Sequence, residues 1–388
     1  MIVSHVWRMT VSEPRAVEFN GCTEPTVGVE WELQLVDAEG LNLFDGILPL
    51  MEFFPDTDYI KPEYIQSCVE LTSCVADTSE AAIEHIRKSL TQVLRRCREL
   101  EMRLCGAGTH PFCRRLALIT PLERYLQIER NSGYLAHSQV TFGTHVHVGM
   151  RSGDEAIRAM SHLIPALPVF IALSANSPFW REHKTGHAAY RHRILAASPQ
   201  YGLPVAFDSW ADFDRFFNTA MKSGMIRHLK DIHWDIRPHP GYGTLEIRVM
   251  DAVSDLQTLR ALAAFAHVLT VCMARTEPEA MARALPLGLP AWIEKENCYR
   301  ASHLGLDAEY IYNEAGDCRP LRGLIEDLAG FCEAFAVDLG ESENFGLVQQ
   351  DLMDRPGYSR QLEIFADTHS TRAVAEYLKG CLLREEQR

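Results

Sequence analysis

Basic residues are scarce in this sequence. The 388 residues include 38 Lys and Arg against 52 Asp and Glu, which gives a formal net charge of −14. A protein that binds nucleic acid through phosphate contacts usually carries a basic face, and this chain has only short basic clusters such as Arg95–Arg98. We therefore expect no nucleic-acid partner. ATP remains possible, because metal ions can bridge carboxylates to phosphates.

Paired cysteine motifs are absent as well. The 11 cysteines are odd in number and form no Cys-x-x-Cys pair, which favours reduced thiols in a cytoplasmic protein over a disulfide framework. Cys68 and Cys74 could form a redox switch, but packed core thiols are the interpretation that we favour.

Long hydrophobic runs are also missing. The most apolar stretches, 163–177 and 259–274, contain Pro165, Pro168 and His267, and both fall short of the roughly 20 apolar residues in a membrane-spanning helix. The first nine residues are too short and too polar for a signal peptide. We expect a soluble cytoplasmic protein without a membrane partner.

No glycine-rich nucleotide loop is present, since neither Gly-x-Gly-x-x-Gly after a predicted strand nor a Walker lysine motif occurs. Strands are predicted at 26–36, 139–150, 232–236 and 243–250. Helices are predicted at 79–104, 154–174, 208–223, 255–275, 322–339 and 370–383. Strands that cluster early and do not alternate with helices predict an α+β fold with a largely antiparallel sheet. We expect a loose lead-in over 1–24 and a single domain over 25–388.

Three predicted strands carry ionisable residues two positions apart: Glu30 and Glu32, His145 and His147, and Glu246 and Arg248. Residues two apart on a strand point to the same face. Each pair alone is typical of the solvated side of a strand, but flanking glycines permit close backbone approach at a site. Carboxylate clusters with one imidazole suit Mg²⁺ or Mn²⁺, whereas zinc more often binds cysteines and several histidines.

A fourth acidic pair, Glu63 and Glu70, is seven residues apart. The two would share one face of a helix but lie on opposite faces of a continuous strand, and a loop between them would remove both constraints. Arg191, Arg237 and Arg248 could clamp phosphate or carboxylate oxygens, although surface ion pairing is the alternative for each.

In their order along the chain, these segments resemble the glutamate–cysteine ligase type 2 family, and most of all its bacterial carboxylate–amine ligases with weak glutamate–cysteine ligase activity. The resemblance is carried by 26–36, 143–149, 174–193, 202–216, 235–238, 243–251 and 296–308. The family is related to the catalytic domain of glutamine synthetase. The resemblance therefore implies a curved antiparallel sheet with helices on its outer face, and ATP and magnesium ions in the concave face.

Carried over by position, the resemblance implies six metal ligands: Glu30, Glu32, Glu63, Glu70, His147 and Glu246. It implies that Arg248 faces the transferring phosphate and that Arg237 contacts the nucleotide or substrate, and Arg191 is a further candidate for binding the nucleotide. The implied reaction moves the γ-phosphoryl group of ATP to a substrate carboxylate, and an amine then attacks the acyl phosphate. An amino acid or other carboxylate, an amine acceptor, Mg²⁺ (or Mn²⁺) and a homodimer belong to this expectation.

Two segments depart from the family pattern. Trp31 stands where relatives often have an acidic or aliphatic residue, and its side chain should point away from the metals. The segment Arg181–His187 also differs, and we predict that it is a substrate-side loop. This difference leaves both the acceptor amine and glutamate as the donor open.

Two other interpretations compete with a ligase. A metal-dependent hydrolase could use His145 and His147 with later ligands such as His233 and His239, although no barrel rhythm of strands and helices accompanies them. A degenerate relative could bind nucleotide without turnover. Retention of all six implied metal positions disfavours this second alternative.

Overall fold

The computed structural model of the protein describes residues 16–198 and 200–383. The strands are β1 Val27–Asp37, β2 Ile60–Pro62, β3 Cys68–Thr72, β4 Met102–Cys105, β5 Gly143–Gly149, β6 Phe179–Trp180, β7 His183–Lys184, β8 Tyr201–Gly202, β9 His233–Trp234, β10 Ile236–His239, β11 Thr244–Asp251, β12 Glu309–Ile311 and β13 Cys318–Pro320. The helices are α1 Ile47–Met51, α2 Ser79–Glu99, α3 Glu123–Ser132, α4 Tyr134–Ser138, α5 Gly153–Leu163, α6 Leu167–Ser174, α7 Tyr190–Leu195, α8 Trp210–Ser223, α9 Leu256–Arg275, α10 Pro278–Met281, α11 Ala291–Leu304, α12 Leu321–Asp338, α13 Ser342–Leu347, α14 Gly357–Thr368 and α15 Thr371–Cys381.

One antiparallel sheet organises the fold. Its strands follow the order β10–β11–β5–β1–β3–β2, and β4 pairs with the end of β1 beyond β3. The prediction of an α+β fold with an antiparallel sheet is thus confirmed. The predicted strand over 232–236 is divided between β9 and β10, and the turn after β10 leads directly into β11.

The two faces of β1 differ in chemistry, as its alternation predicts. Val29, Trp31 and Leu33 are buried on one face, where α2 and α9 pack against the sheet. The indole Nε1 of Trp31 donates to the backbone oxygen of Val253 at 3.1 Å. Trp31 therefore points away from Glu30, as expected, and the opposite face is left for polar groups.

Side chains cap the starts of the two long helices α2 and α9. The Thr78 hydroxyl accepts from Ala81 N at the start of α2, and the Asp255 carboxylate accepts from Thr258 N at the start of α9. The predicted end of α2 was wrong, because the helix stops at Glu99 instead of continuing to residue 104. Residues Met102–Cys105 form β4 instead, since the part of β1 beyond β3 offers free backbone hydrogen-bonding groups there.

Two helical stretches are long and apolar enough to cross a membrane, whereas the apolar runs 163–177 and 259–274 that overlap them were predicted to be too short. Gly153–Ser174 has 22 residues and Leu256–Arg275 has 20. Within the structure, 83% and 89% of their most apolar windows are buried. Both helical stretches are therefore buried to the extent that is typical of core helices.

The cysteines are free thiols, and Cys68 lies buried on β3 while Cys74 is only half-buried. Most of the others are buried in the core. This arrangement agrees with packed core thiols.

The predicted lead-in is only partly described, since residues 1–15 lie outside the described residues. The described remainder has no helix or strand, but hydrogen bonds hold it in place. Val17 N donates to the Asp214 carboxylate of α8 at 2.7 Å, and Asn20 N donates to Pro240 O at 2.9 Å. This part of the chain therefore links α8 to the turn between β10 and β11.

Candidate active site

Strand register brings acids from β1 and β3 and an imidazole from β5 together on the polar face of the sheet. Glu30 on β1 lies opposite His145 on β5, and Glu32 on β1 lies opposite Glu70 on β3. Because directly opposite residues share a face in an antiparallel pair, these four side chains converge.

The strands β10 and β11 add a carboxylate and two cations to the same face. Glu246 lies opposite His147 on one side and Arg237 on the other. An extra residue on β11 between Ile247 and Met250 forms a bulge that contains Arg248. A bulge re-aims the side chains that it carries, and Arg248 here reaches back to bond Glu246.

The loop between β2 and β3 decides the position of Glu63. This residue directly follows β2, so Glu63 and Glu70 are separated by a loop and a strand. The loop removes the face constraint that a single helix or strand would impose. Glu63 Oε2 accepts from Tyr64 N at 2.7 Å, and both acids line the same cavity.

A cavity of about 590 Å³ opens over this face. All nine residues predicted for the site line it: Glu30, Glu32, Glu63, Glu70, His147, Arg191, Arg237, Glu246 and Arg248. The segment Arg181–His187 is not among the lining residues described. The prediction of a substrate-side loop there is therefore not supported; Arg181 and Glu182, with φ of 50° and 71°, form the turn of the β6–β7 hairpin.

His145 lies between the carboxylates, although only His147 was predicted as a metal ligand. Its Nδ1 is 3.1 Å from Glu30 Oε2 and its Nε2 is 3.9 Å from Glu32 Oε1. Two groups have potential ligand atoms within 4.8 Å of one another: Glu30, His145 and Glu246, and Glu32, Glu70 and His145. The spacing of the two histidines placed both on one face, but only the cross-strand register shows that His145 lies directly opposite Glu30.

His147 lies beside the first of these groups. Its Nε2 is 3.5 Å from Glu30 Oε1 and 3.8 Å from Glu246 Oε1, while Nδ1 is 3.0 Å from Thr244 Oγ1. Burial would lower the pKa of His147, but the charges of Glu246 and Glu30 outweigh it and raise the pKa. Its predicted role as a ligand stays a prediction.

The acids divide into two kinds by their surroundings. Burial alone would raise the pKa of Glu30 and Glu246, but the imidazoles around Glu30 and the guanidinium groups around Glu246 hold both pKa values well below the usual range. Burial together with the charge of Glu63 raises the pKa of Glu32 to about 7. Burial and the neighbouring acids raise the pKa of Glu70 as well. Positive charge is therefore deficient around Glu32 and Glu70.

Several buried side-chain nitrogens lack a hydrogen-bond partner within the described residues, and His145 Nε2 and His147 Nε2 are among them. Buried polar atoms are normally satisfied, so such atoms call for a ligand. The two imidazole nitrogens lie among carboxylate oxygens, a donor set that suits Mg²⁺ or Mn²⁺ better than zinc. The residues present thus fit divalent cations bound by carboxylates and one imidazole per group.

The three predicted arginines have different partners. Arg237 Nε donates to Glu246 Oε2 at 2.7 Å, and Arg248 also bonds Glu246. Arg191 instead donates to the backbone oxygen of Val249 at 3.3 Å. A side chain at Gly143 would come within 2.4 Å of Arg191 Nη2, so the glycine permits this guanidinium to approach the cavity.

Two stacked aromatic pairs line the cavity, and neither was predicted from the sequence. His239 and Tyr242 stack with ring centroids 4.1 Å apart and planes at 12°, and Tyr201 and His233 stack at 4.8 Å and 8°. Both histidines had been considered only as metal ligands of a hydrolase. Each candidate metal group in the described part of the chain contains one imidazole and two carboxylates, and neither His233 nor His239 belongs to one.

Comparison with known proteins shows that the sequence matches a protein family. Residues 26–378 match the family described as glutamate–cysteine ligase family 2 (GCS2). A Trichormus variabilis protein named "Putative glutamate–cysteine ligase 2" is 42% identical over 362 residues, which cover 93% of this chain and 94% of that protein. Another relative, a Bdellovibrio bacteriovorus protein of the same name, is 33% identical over 371 residues, covering 95% of this chain and 97% of that protein.

Among solved structures, the glutamate–cysteine ligase of Francisella tularensis in complex with AMP is similar with a TM-score of 0.62. The sequences are 12% identical, and the likeness covers 93% of this chain and 90% of that one. At that identity the likeness concerns the fold alone.

Proposed function

This chain belongs to the glutamate–cysteine ligase family 2, and from that premise we propose that its acidic cavity is the active site of an ATP-dependent carboxylate–amine ligase. The finer proposal is that the enzyme uses Mg²⁺ and an acyl phosphate. We further propose that residues 25–388 act as a single catalytic domain.

The observation that carries the proposal is the position of His145. It takes part in two groups of potential cation ligands, and Glu246 in one of them also bonds two arginines. Cation-binding oxygens and fixed guanidinium groups thus lie side by side on one wall. A triphosphate held by metal ions requires this combination.

Divalent cations would be held by Glu30, Glu246 and His145 in one group and by Glu32, Glu70 and His145 in the other, with Glu63 and His147 beside them. When bound, Mg²⁺ would neutralise phosphate oxygens and polarise the transferring group. Arg237 and Arg248 are already held by Glu246, so they can offer preorganised N–H donors to phosphoryl oxygens without large movement.

The proposed reaction has two steps. A carboxylate oxygen of the substrate attacks the γ-phosphorus of ATP, the bond to the bridging oxygen breaks, and ADP leaves. The nitrogen of a neutral amine then attacks the acyl carbon, inorganic phosphate leaves, and the amine loses a proton. The protein's part is to align the reactants and to neutralise developing charge.

The substrates are proposed from the names of the relatives. Glutamate as the carboxylate and cysteine as the amine are the first pair to test, and the product would be a γ-glutamylcysteine-type amide. A cytoplasmic location and a homodimer are further proposals, which rest on the sequence and the family resemblance alone.

The deciding experiment supplies the purified chain with ATP, Mg²⁺ and a panel of amino acids and amines. We expect phosphate release that depends on both a carboxylate and an amine, and mass spectrometry should find the amide. A degenerate relative would bind ATP without this release. Release of phosphate with no amide product from any pair would contradict a ligase and indicate an ATPase.

A further inference from the structure

The turn between β10 and β11 carries a stacked pair of rings at the edge of the cavity. The planes of His239 and Tyr242 lie 12° apart with centroids at 4.1 Å. His239 is 8% exposed, whereas Tyr242 is 58% exposed. Tyr242 thus covers the buried imidazole with one face, and its other face meets no stacked ring among the described residues.

The pair adjoins the candidate cation groups. The ring of His147 meets both rings edge-on, with centroids 5.9 Å from His239 and 5.8 Å from Tyr242. His147 Nε2 in turn lies 3.5 Å from Glu30 Oε1. A ligand whose phosphates bind at Glu30 and Glu246 could therefore extend toward Tyr242.

A second stacked pair, Tyr201 and His233, also lines the cavity but has a different setting. Charges of Arg248, Arg191, Glu32 and Glu63 act on the Tyr201 hydroxyl. Those surroundings suit a charged substrate group, whereas a nucleobase is uncharged. Tyr242 is the ring with an open face and no charged side chain bonded to it in the described residues.

The turn is held before any ligand binds. Asn20 N donates to Pro240 O at 2.9 Å and Asn20 Nδ2 donates to Gly241 O at 3.2 Å. Gly243 has φ of +66°, and a side chain there would meet Asn20 O at 1.8 Å. A restrained turn loses little freedom when a ring stacks on it, which favours binding.

From this arrangement we propose that the open face of Tyr242, backed by His239, is the platform on which the purine base of ATP stacks. The inference rests on the proposed function, because it assumes that ATP phosphates bind at the carboxylates. Base–aromatic stacking is sequence-tolerant, since every base has a π face. The platform therefore provides affinity for the base without itself distinguishing adenine from guanine.

The test compares two ligands in the presence of Mg²⁺: ATP, and inorganic tripolyphosphate, which has the phosphates but no base. Isothermal titration calorimetry would measure the dissociation constant of each for wild type and for Tyr242→Ala. We expect Tyr242→Ala to weaken ATP about tenfold, the scale of one stacking contact, and to leave tripolyphosphate within about twofold. Tyr242→Phe should retain wild-type affinity for ATP.

Two further variants keep the result interpretable. Trp292→Ala removes another exposed ring, which does not line the cavity, and should leave both affinities unchanged. Tyr242→Trp places an indole on the platform, so ATP should quench more tryptophan fluorescence than in wild type, and tripolyphosphate should not. This fluorescence measurement still tests stacking by ATP if tripolyphosphate binds too weakly for calorimetry.

The outcomes separate the two proposals. If wild type does not bind ATP, the proposed function itself fails and the platform fails with it. If wild type binds ATP and Tyr242→Ala binds it equally well, only the platform is overturned. An equal loss of ATP and tripolyphosphate would also overturn it, because Tyr242 would then act through His147 and the cation groups.

Discussion

Glu30 contacts both imidazoles of the site, at 3.1 Å from His145 Nδ1 and 3.5 Å from His147 Nε2. Glu30→Gln keeps the shape and removes the negative charge that a cation would meet. We expect Mg²⁺-dependent ATP turnover to fall by at least about a hundredfold, the scale of losing one electrostatic catalytic contact. Phosphate release would measure it, with Glu39→Gln as the matched exposed control. A folded Glu30→Gln protein with unchanged turnover would contradict the metal assignment.

The two histidines of β5 should differ in how much they contribute to Mg²⁺ binding. His145 belongs to both candidate cation groups, whereas His147 only adjoins one of them. We expect His145→Ala to raise the Mg²⁺ concentration for half-maximal activity on the order of tenfold or more, and His147→Ala to raise it less. Magnesium titrations of ATP turnover would measure this. The reverse order would favour the ligand that the family resemblance implies.

Glu294 is a buried acid outside the cavity lining, 4% exposed, and its Oε2 has no hydrogen-bond partner in the described residues. Burial raises its pKa from 4.5 to about 8. Between these values the folded state keeps a proton that the unfolded state has released, so stability should fall as pH rises from about 4.5 to about 8. In Glu294→Gln, the decrease in the free energy of unfolding over this pH range should be smaller by up to a few kcal/mol.

Denaturant unfolding at pH 5 and pH 8 would test Glu294. The free energy of unfolding of wild type should drop more between the two pH values than that of Glu294→Gln. Parallel pH dependences for the two proteins would mean that Glu294 is not protonated in the folded state.

At the scale of elements, the first turn of α2 is anchored by a carboxylate from outside the helix. Glu341 accepts from Ser79 N at 2.6 Å, and its Oε1 is 2.9 Å from Nδ1 of the buried His267. Glu341→Ala would leave these buried groups unpaired. We expect a loss of roughly 3–5 kcal/mol in the free energy of unfolding.

Chemical denaturation would measure the effect of Glu341→Ala. Glu333→Ala, at an exposed position of α12, should change the free energy of unfolding by no more than about 0.5 kcal/mol. A similarly small effect for both variants would show that the anchor contributes little to holding α2 in place.

Element boundaries show where local pattern stops being informative. Thr78 and Asp255 cap their helices through bonds to residues three positions on, and such a cap depends on a few adjacent residues. The end of α2 was misplaced, since Met102–Cys105 is a strand only because β1 is there to pair with it. A partner distant in sequence decided that assignment.

At the scale of the whole molecule, the sheet separates an apolar core face from an acidic face. Glu32, Glu63 and Glu70 all line the cavity, and like charges held together oppose folding unless cations bind. We expect Mg²⁺ to raise the melting temperature. If Mg²⁺ binds only the folded state, a free Mg²⁺ concentration a hundred times the dissociation constant should raise the free energy of unfolding by about 2.7 kcal/mol.

Glu70→Gln would test this coupling between charge and stability. It should raise the melting temperature without Mg²⁺, since one of the mutually repelling acids is gone, and it should reduce the further increase when Mg²⁺ is added. Thermal melts with and without Mg²⁺ would measure both. An equal Mg²⁺ effect in wild type and Glu70→Gln would place the stabilising ion elsewhere.

The sequence by itself determined the antiparallel α+β class, the family, and which acids share a face with which. Those features depend on the two-residue period of a strand and on motifs that can be read directly, as with Glu30 and Glu32. Only the tertiary structure decided that His145 lies opposite Glu30, that Glu63 and Glu70 line the same cavity, and that Tyr242 stacks on His239. Register and loop paths depend on contacts between residues far apart in the chain, so no local pattern contains them.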